Sequence, residues 1–144
     1  MTVSDPSPLI DELNEGLVEF FDRFSSWESS IIEAGHLKIA DAHAIEVLGH
    51  YGKMNMKELA GRLGLTTGTT TMTVDRLERG GFACRIRAEH DRRSYIIVLT
   101  PAGCEAYEEH HRHHLSLAEE ISSILGESDS AVFVKNLRKI NENI

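Results

Sequence analysis

The stretch from Met54 to Thr100 limits the possible folds of this chain more than any other part of it. Met56, Leu59, Ala60 and Leu63 fall at i, i+3, i+4 and i+7, so a short helix has one apolar face, and Gly64 stops it. Two residues on, Thr66 can cap a second helix, with Val74 and Leu77 inward, Thr70 beside them, and Gly80-Gly81 as its end. Thr67, Thr69, Thr71, Met72 and Arg76 are left to point outward. From Ala83 the period becomes two, with Cys84, Ile86 and Ala88 separated by Arg85 and Arg87, and Ser94 to Leu99 is a second β-branched and aromatic run. The polar, Arg-rich connection Glu89 to Arg93 makes the tip of this pair. The reading is a helix-turn-helix followed by a two-stranded wing.

Charge follows the same division. Residues 53–93 carry nine Lys/Arg against five Asp/Glu, whereas the remainder carries six against eighteen. A chain of net charge −8 thus contains a basic island, the electrostatic footprint of a double-stranded DNA reader. In such a reader Thr67, Thr69, Thr71 and Arg76 contact backbone or base edges, and Met72 offers an apolar contact to a thymine methyl. Arg93 is the leading wing contact, oriented by Asp91, and Arg85 and Arg87 add phosphate contacts.

In order and spacing, ELAGRLGL, the Thr-rich helix ending in DRLERGGF, the DRR wing tip and LTPAG resemble the MarR family of winged-helix transcriptional regulators. The resemblance implies a homodimer on a pseudo-palindromic operator, acting as a repressor. Two apolar stripes suit that role: Ile10, Leu13, Leu17, Phe20 or Phe21 and Phe24 near the start, and Phe133, Leu137, Ile140 and Ile144 at the end, after a helix-start signal at Ser128-Asp129. Both could also pack within one chain.

The whole reads as one domain of 144 residues, mainly α with a small β-wing. About 37–100 form the winged helix-turn-helix, and about 7–34 and 101–144 the dimerisation helices. Residues 1–8 read as frayed. A supporting helix spans Ile39 to His50, with Ala42, Ile45, Val47 and Leu48 apolar. Thr100-Pro101 starts a helix that runs to Leu125, with a seam through Tyr107, His111, His114, Ala118, Ile121 and Leu125. No apolar run approaches membrane-spanning length and no secretory leader is evident, so a soluble, cytoplasmic protein is expected. Cys84 and Cys104 read as small core residues.

The run Glu108 to His114, EEHHRHH, is the second informative feature. His110 and His114 stand four apart on one helical face, the spacing by which two imidazoles share an ion, and His43 on the supporting helix is the candidate third ligand. Within the MarR family, the zinc-uptake repressors of the AdcR type resemble this chain at His43 and at Glu108 to His114. That likeness implies a zinc site whose occupied form binds DNA. Ser25 stands where that branch has its first-helix Glu, so Glu28, one turn later, is taken as the substitute, with Glu33 and His36 behind it. Ile31 and Ala42 replace a Cys and a Glu of the branch's second site, of which Glu109 alone is kept. Nickel, copper and cobalt suit the same ligands. The alternative is a small aromatic or phenolic ligand that releases DNA, held near Trp27, Tyr51 and Tyr107. No enzymatic activity is expected: HHRHH is not HExxH, and no nucleophile triad or phosphate-cradling loop is present.

Overall fold

The computed structural model describes residues 7–144. Six helices and three short strands follow in the order α1 (Pro8–Ala34), α2 (Ile39–Tyr51), β1 (Met54–Asn55), α3 (Met56–Leu63), α4 (Thr67–Arg79), β2 (Ala83–Ala88), β3 (Asp91–Leu99), α5 (Pro101–Leu125) and α6 (Glu127–Asn141). This is the expected mainly α chain with a β-wing.

Local chemistry sets most of the boundaries. Asn55 caps α3 by accepting from the Glu58 N–H (2.8 Å), and Gly64 ends it in the left-handed region at φ 65°, where a side chain would clash with its own backbone. Thr66 caps α4 through the Thr69 N–H (3.2 Å). Thr100 caps α5 through the Gly103 N–H (3.1 Å), and Pro101 occupies the first turn.

The core lies where α2, α3, α4 and the sheet meet. Leu59, Val74, Leu77 and Ile97 are sealed from solvent, with Ile45 and Leu48 of α2 against them. The inward face of α4 is as expected, with Thr73 added to Thr70. Both threonine hydroxyls donate to the carbonyl four residues back, Thr70 to Thr66 (2.8 Å) and Thr73 to Thr69 (3.3 Å), which makes a buried hydroxyl affordable.

Several expectations need correction. The wing is part of a three-stranded antiparallel sheet of order β1-β3-β2, because Met54 and Asn55 pair with Ile97 and Ile96. A two-residue strand is too short to show any alternation, so it left no mark in the sequence. The wing turn is only Glu89-His90; Asp91 to Arg93 already belong to β3, and Asp91 pairs with Ala88 across a register shift. α6 begins at Glu127 on Gly126, not at Ser128-Asp129. The inner face of α5 runs through Gly103, Tyr107, His110, His114, Leu117 and Ile121, whereas His111 and Ala118 are exposed. Ser7 and Pro8 start α1, so the frayed reading fails there; residues 1–6 lie outside the described residues. Cys104 is exposed and Cys84 half-buried, so Cys104 is no core residue.

α1 and α6 carry their apolar residues on the outside of the chain: Leu13, Leu17, Phe21, Leu137 and Ile140 are all about half exposed or more. Phe24 departs from the α1 stripe and turns inward to Trp27 and His114. No helix among the described residues is long and apolar enough to cross a membrane.

Gly103 permits a close approach of α5 to the end of β2. A Cβ there would collide with the carbonyl oxygen of Phe82, which accepts from the Thr100 N–H (3.0 Å), so α5 could not sit on the end of the wing. Gly103→Ala should therefore cost about 1–3 kcal/mol, against the gain of about 1 kcal/mol that alanine brings to an open helical site. Gly61, with nothing near its Cβ position, is such an open site, and Gly61→Ala should stabilise. Urea midpoints at unchanged slope measure both.

Candidate functional site

The outward face of α4 holds Thr67, Thr69 and Met72 in solvent, with Met72 62% exposed, and Thr71 half-buried. Arg76 does not join them. Its Nε and Nη2 donate to Asp41 Oδ1 of α2 (3.0 and 2.9 Å), and Nη2 also donates to Thr73 Oγ1 (3.3 Å). Asp41 is itself buried, so each partner is the other's only nearby countercharge among these contacts. The expectation that Arg76 points outward is thereby corrected.

Arg85 is corrected in the same way. Its two terminal nitrogens donate to Asp75 and Glu78 of α4, both at 2.6 Å, which ties β2 to the reading helix. The bond to Asp75 is the main reason its pKa rises further, burial opposes, and Glu78 adds to the rise. Its charge is matched within the protein by these two carboxylates.

The wing keeps its expected cations. Arg87, Arg92 and Arg93 are exposed, and Arg87 stands 5.9 Å from the Tyr95 ring. Asp91 accepts from the Arg93 N–H (2.9 Å) and the Ser94 hydroxyl (3.0 Å), so it shapes the strand start that carries Arg93, as an orienting residue should.

The second locus lies between α1, α2 and α5. Glu28 of α1, Glu46 of α2, and His110 and His114 of α5 each bring one ligand atom into a group whose members lie within 4.8 Å of one another. His110 Nε2 is 2.9 Å from His114 Nε2, 3.7 Å from Glu28 and 3.5 Å from Glu46, and His114 Nε2 is 3.5 Å from Glu28. The T-shaped contact of Trp27 with His114, 5.2 Å between centroids, walls the group on the α1 side. Glu28, His110 and His114 thus come together as expected. His43 only reaches its edge, 3.9 Å from Glu28 and 47% exposed in its side chain. Glu33 and His36 stay in solvent.

Glu46 was missed. It lies three residues after His43 on the same helix, and that spacing was the available signal. Burial holds the His110 imidazole below the usual histidine range; Glu46 pulls the other way, His114 lowers it further, Glu28 raises it and His113 lowers it. A shift in this direction favours the neutral ring, the form in which imidazole binds a metal.

Beside this group a cavity of about 360 Å³ opens between α1, α2 and α5. Tyr107 lines it, but Trp27 and Tyr51 do not. Tyr51 instead lies under the Arg62 guanidinium, 3.7 Å from its ring centre. Ile31, Ala42 and Glu109 are all in the cavity wall, which also holds the carboxylates of Glu46 and Glu105.

Residues 37–95, which run from the start of α2 to the middle of β3, match the MarR family. Over this segment the chain is similar to the MarR-family regulators. Two Bacillus subtilis (strain 168) proteins are similar to it: the uncharacterized HTH-type transcriptional regulators YcgE, 32% identical over 91 residues, and YfiV, 30% over 88. Each match covers 60% of this chain, but only 59% and 55% of those two proteins, so the chain spans a little over half their length. Among solved structures, Streptococcus pneumoniae FabT in complex with DNA is similar over 92% of this chain and 95% of its own, at 28% identity and a TM-score of 0.83. These MarR-family relatives are regulators rather than enzymes.

The corrected arginines and the wing arginine should separate cleanly in stability. Arg76→Ala leaves Asp41 buried without its partner and should cost about 1.5–3 kcal/mol. Arg93→Ala, at an exposed position, should stay within about 0.5 kcal/mol of the parent. Thermal unfolding of the two variants side by side checks this.

Proposed function

We propose that this chain is a homodimeric, sequence-specific DNA-binding MarR-family transcriptional repressor whose affinity for its operator is set by a divalent metal, zinc first, held between α1, α2 and α5. The observation that carries the metal part is the meeting of Glu28, Glu46, His110 and His114 from three helices.

The donor set fits. Two imidazoles and two carboxylates are a familiar zinc complement, and two nitrogens on one tetrahedral ion stand roughly 3.3 Å apart, near the 2.9 Å between His110 and His114. When bound, the ion would supply positive charge between two carboxylates and a cross-link among the helices. Glu28 holds the α1 end, Glu46 the α2 end, and the two histidines fix α5. α2 also packs on α3 and α4, so the setting of this junction bears on the angle of the reading head. His43 is a reserve ligand at the rim.

Support for the dimer comes from the exposed apolar faces of α1 and α6. Two reading helices held about 34 Å apart enter successive turns of one groove face, which a single copy could not do. The basic segment 53–93, with Arg87, Arg92 and Arg93 free, supplies the phosphate contacts.

A second reading is favoured by the cavity of about 360 Å³, whose Tyr107 and aliphatic side chains suit a small aromatic or phenolic ligand. Glu46 and His110 belong to both cavity and cluster, so either effector would act on the same helices.

Operator binding should be tighter with zinc than with a chelator by about 5- to 150-fold, the usual range of allosteric coupling. His110→Ala with His114→Ala should bring affinity to the chelator level. Equal affinity in all three ends the metal reading, and release by a phenol without any metal effect favours the cavity. Zinc affinity should fall as pH drops through the histidine range, because protons compete for the imidazole nitrogens. Arg93→Ala should weaken binding to every sequence and reduce the slope of log affinity against log salt by about 1.

A further inference from the structure

The first turns of α4 carry an unusual set of groups for a helix that reads bases. From Thr67 to Val74 the sequence is TGTTTMTV, without one charged or amide side chain. The commonest specific contact to a guanine edge is a bidentate pair of N–H donors from Arg or Lys to O6 and N7, and Asn or Gln serve adenine in the same way. No side chain of this segment has an N–H group.

The arginine next along the helix is withheld. Arg76 is held on Asp41 by two bonds and on Thr73 by a third. Arg85, which could have reached along the helix from β2, is bound by Asp75 and Glu78. Arg79 lies in the last turn, roughly 18 Å along the axis from Thr67. What faces outward near the N-terminal end is therefore hydroxyls, methyls and the bare backbone of Gly68.

Part of the hydroxyl set is also committed. Thr71 donates its proton to the Thr67 carbonyl (2.8 Å), and the Thr66 hydroxyl donates to Thr69 (3.0 Å). Threonine hydroxyls serve any base, so they confer little choice. The groups that can choose are apolar: the side chain of Met72, a residue 62% exposed, with the methyls of Thr67 and Thr71. In the major groove only thymine displays a methyl for them.

We propose that α4 reads its half-site through thymine 5-methyl groups, with Met72 the specificity-determining residue, and that Asp41 enforces this by keeping Arg76 off guanine. The inference rests on the DNA-binding reading above. The base pairs facing residues 67–72 are then A·T. Arg92 and Arg93 on the wing favour the same composition, because narrow A·T minor grooves attract arginine.

The test is selection by the full chain, with zinc present and at low salt, from a library of random duplexes. Affinity is then measured for the selected site with each thymine replaced by uracil. A·T pairs should dominate the helix-facing positions, and each methyl lost at a contact should weaken binding about 4-fold, the value of one buried CH₂-sized group. Met72→Ala should bring thymine and uracil sites closer together in affinity, and an unchanged thymine preference in this variant overturns the assignment to Met72. Guanine at the helix-facing positions, lost in an Arg76→Gln variant, overturns the proposal. So do A·T sites that bind equally with uracil, since those are read by groove shape. Retention of no duplex at all, even at low salt, overturns both this proposal and the DNA-binding reading.

Discussion

Everything in the molecule that could carry information passes through the packing of α2. Ala42, Ala44, Ile45 and Leu48 bury it, and it touches α1, α3, α4, α5 and β3. Apolar side chains on so many sides leave it no face on which to slide without opening voids, at a cost of several kcal/mol for any large residue exposed. Asp41 and Glu46 are the polar exceptions on this rigid element. One holds the reading helix through Arg76 and the other faces the histidines of α5. Five residues of helix separate the two roles.

The same packing explains the division of charge. Two arginines that pack against α4 or on its inner side are matched by carboxylates within the fold, Arg76 by Asp41 and Arg85 by Asp75 and Glu78. Arg87, Arg92 and Arg93, further out on the wing, are not drawn inward and stay in water. A count of basic residues over 53–93 therefore overstates the charge available to a partner, because part of it is used to fasten sheet to helix and helix to helix.

What could be read from the chain was whatever depends on neighbours in sequence. Gly64, Thr66, Thr100 and Pro101 act within three or four residues, and the helix ends they specify were placed correctly. The His110 and His114 pair is equally local. Arg76 meets Asp41 across 35 positions, and no periodicity encodes such a pairing. Glu46 was overlooked for a related reason: a helix buried on most sides has no clear polar stripe, so its rotation, and with it the choice between His43 and Glu46, is settled only by the helices around it. β1 owes its existence to β3, since two residues have no strand character of their own.

The corner between α5 and α6 is a single residue. Gly126, at φ 85° and ψ 165°, occupies a region that only glycine enters readily, and Ser130 closes the bend by donating to its carbonyl (2.6 Å). α6 extends from that corner as an arm roughly 22 Å long, so a rotation of about 10° at one pair of dihedrals would carry its far end roughly 4 Å. The C-terminal arm is thus a long lever on a very short pivot, and small torsions there translate into large displacements of the apolar surface that it bears.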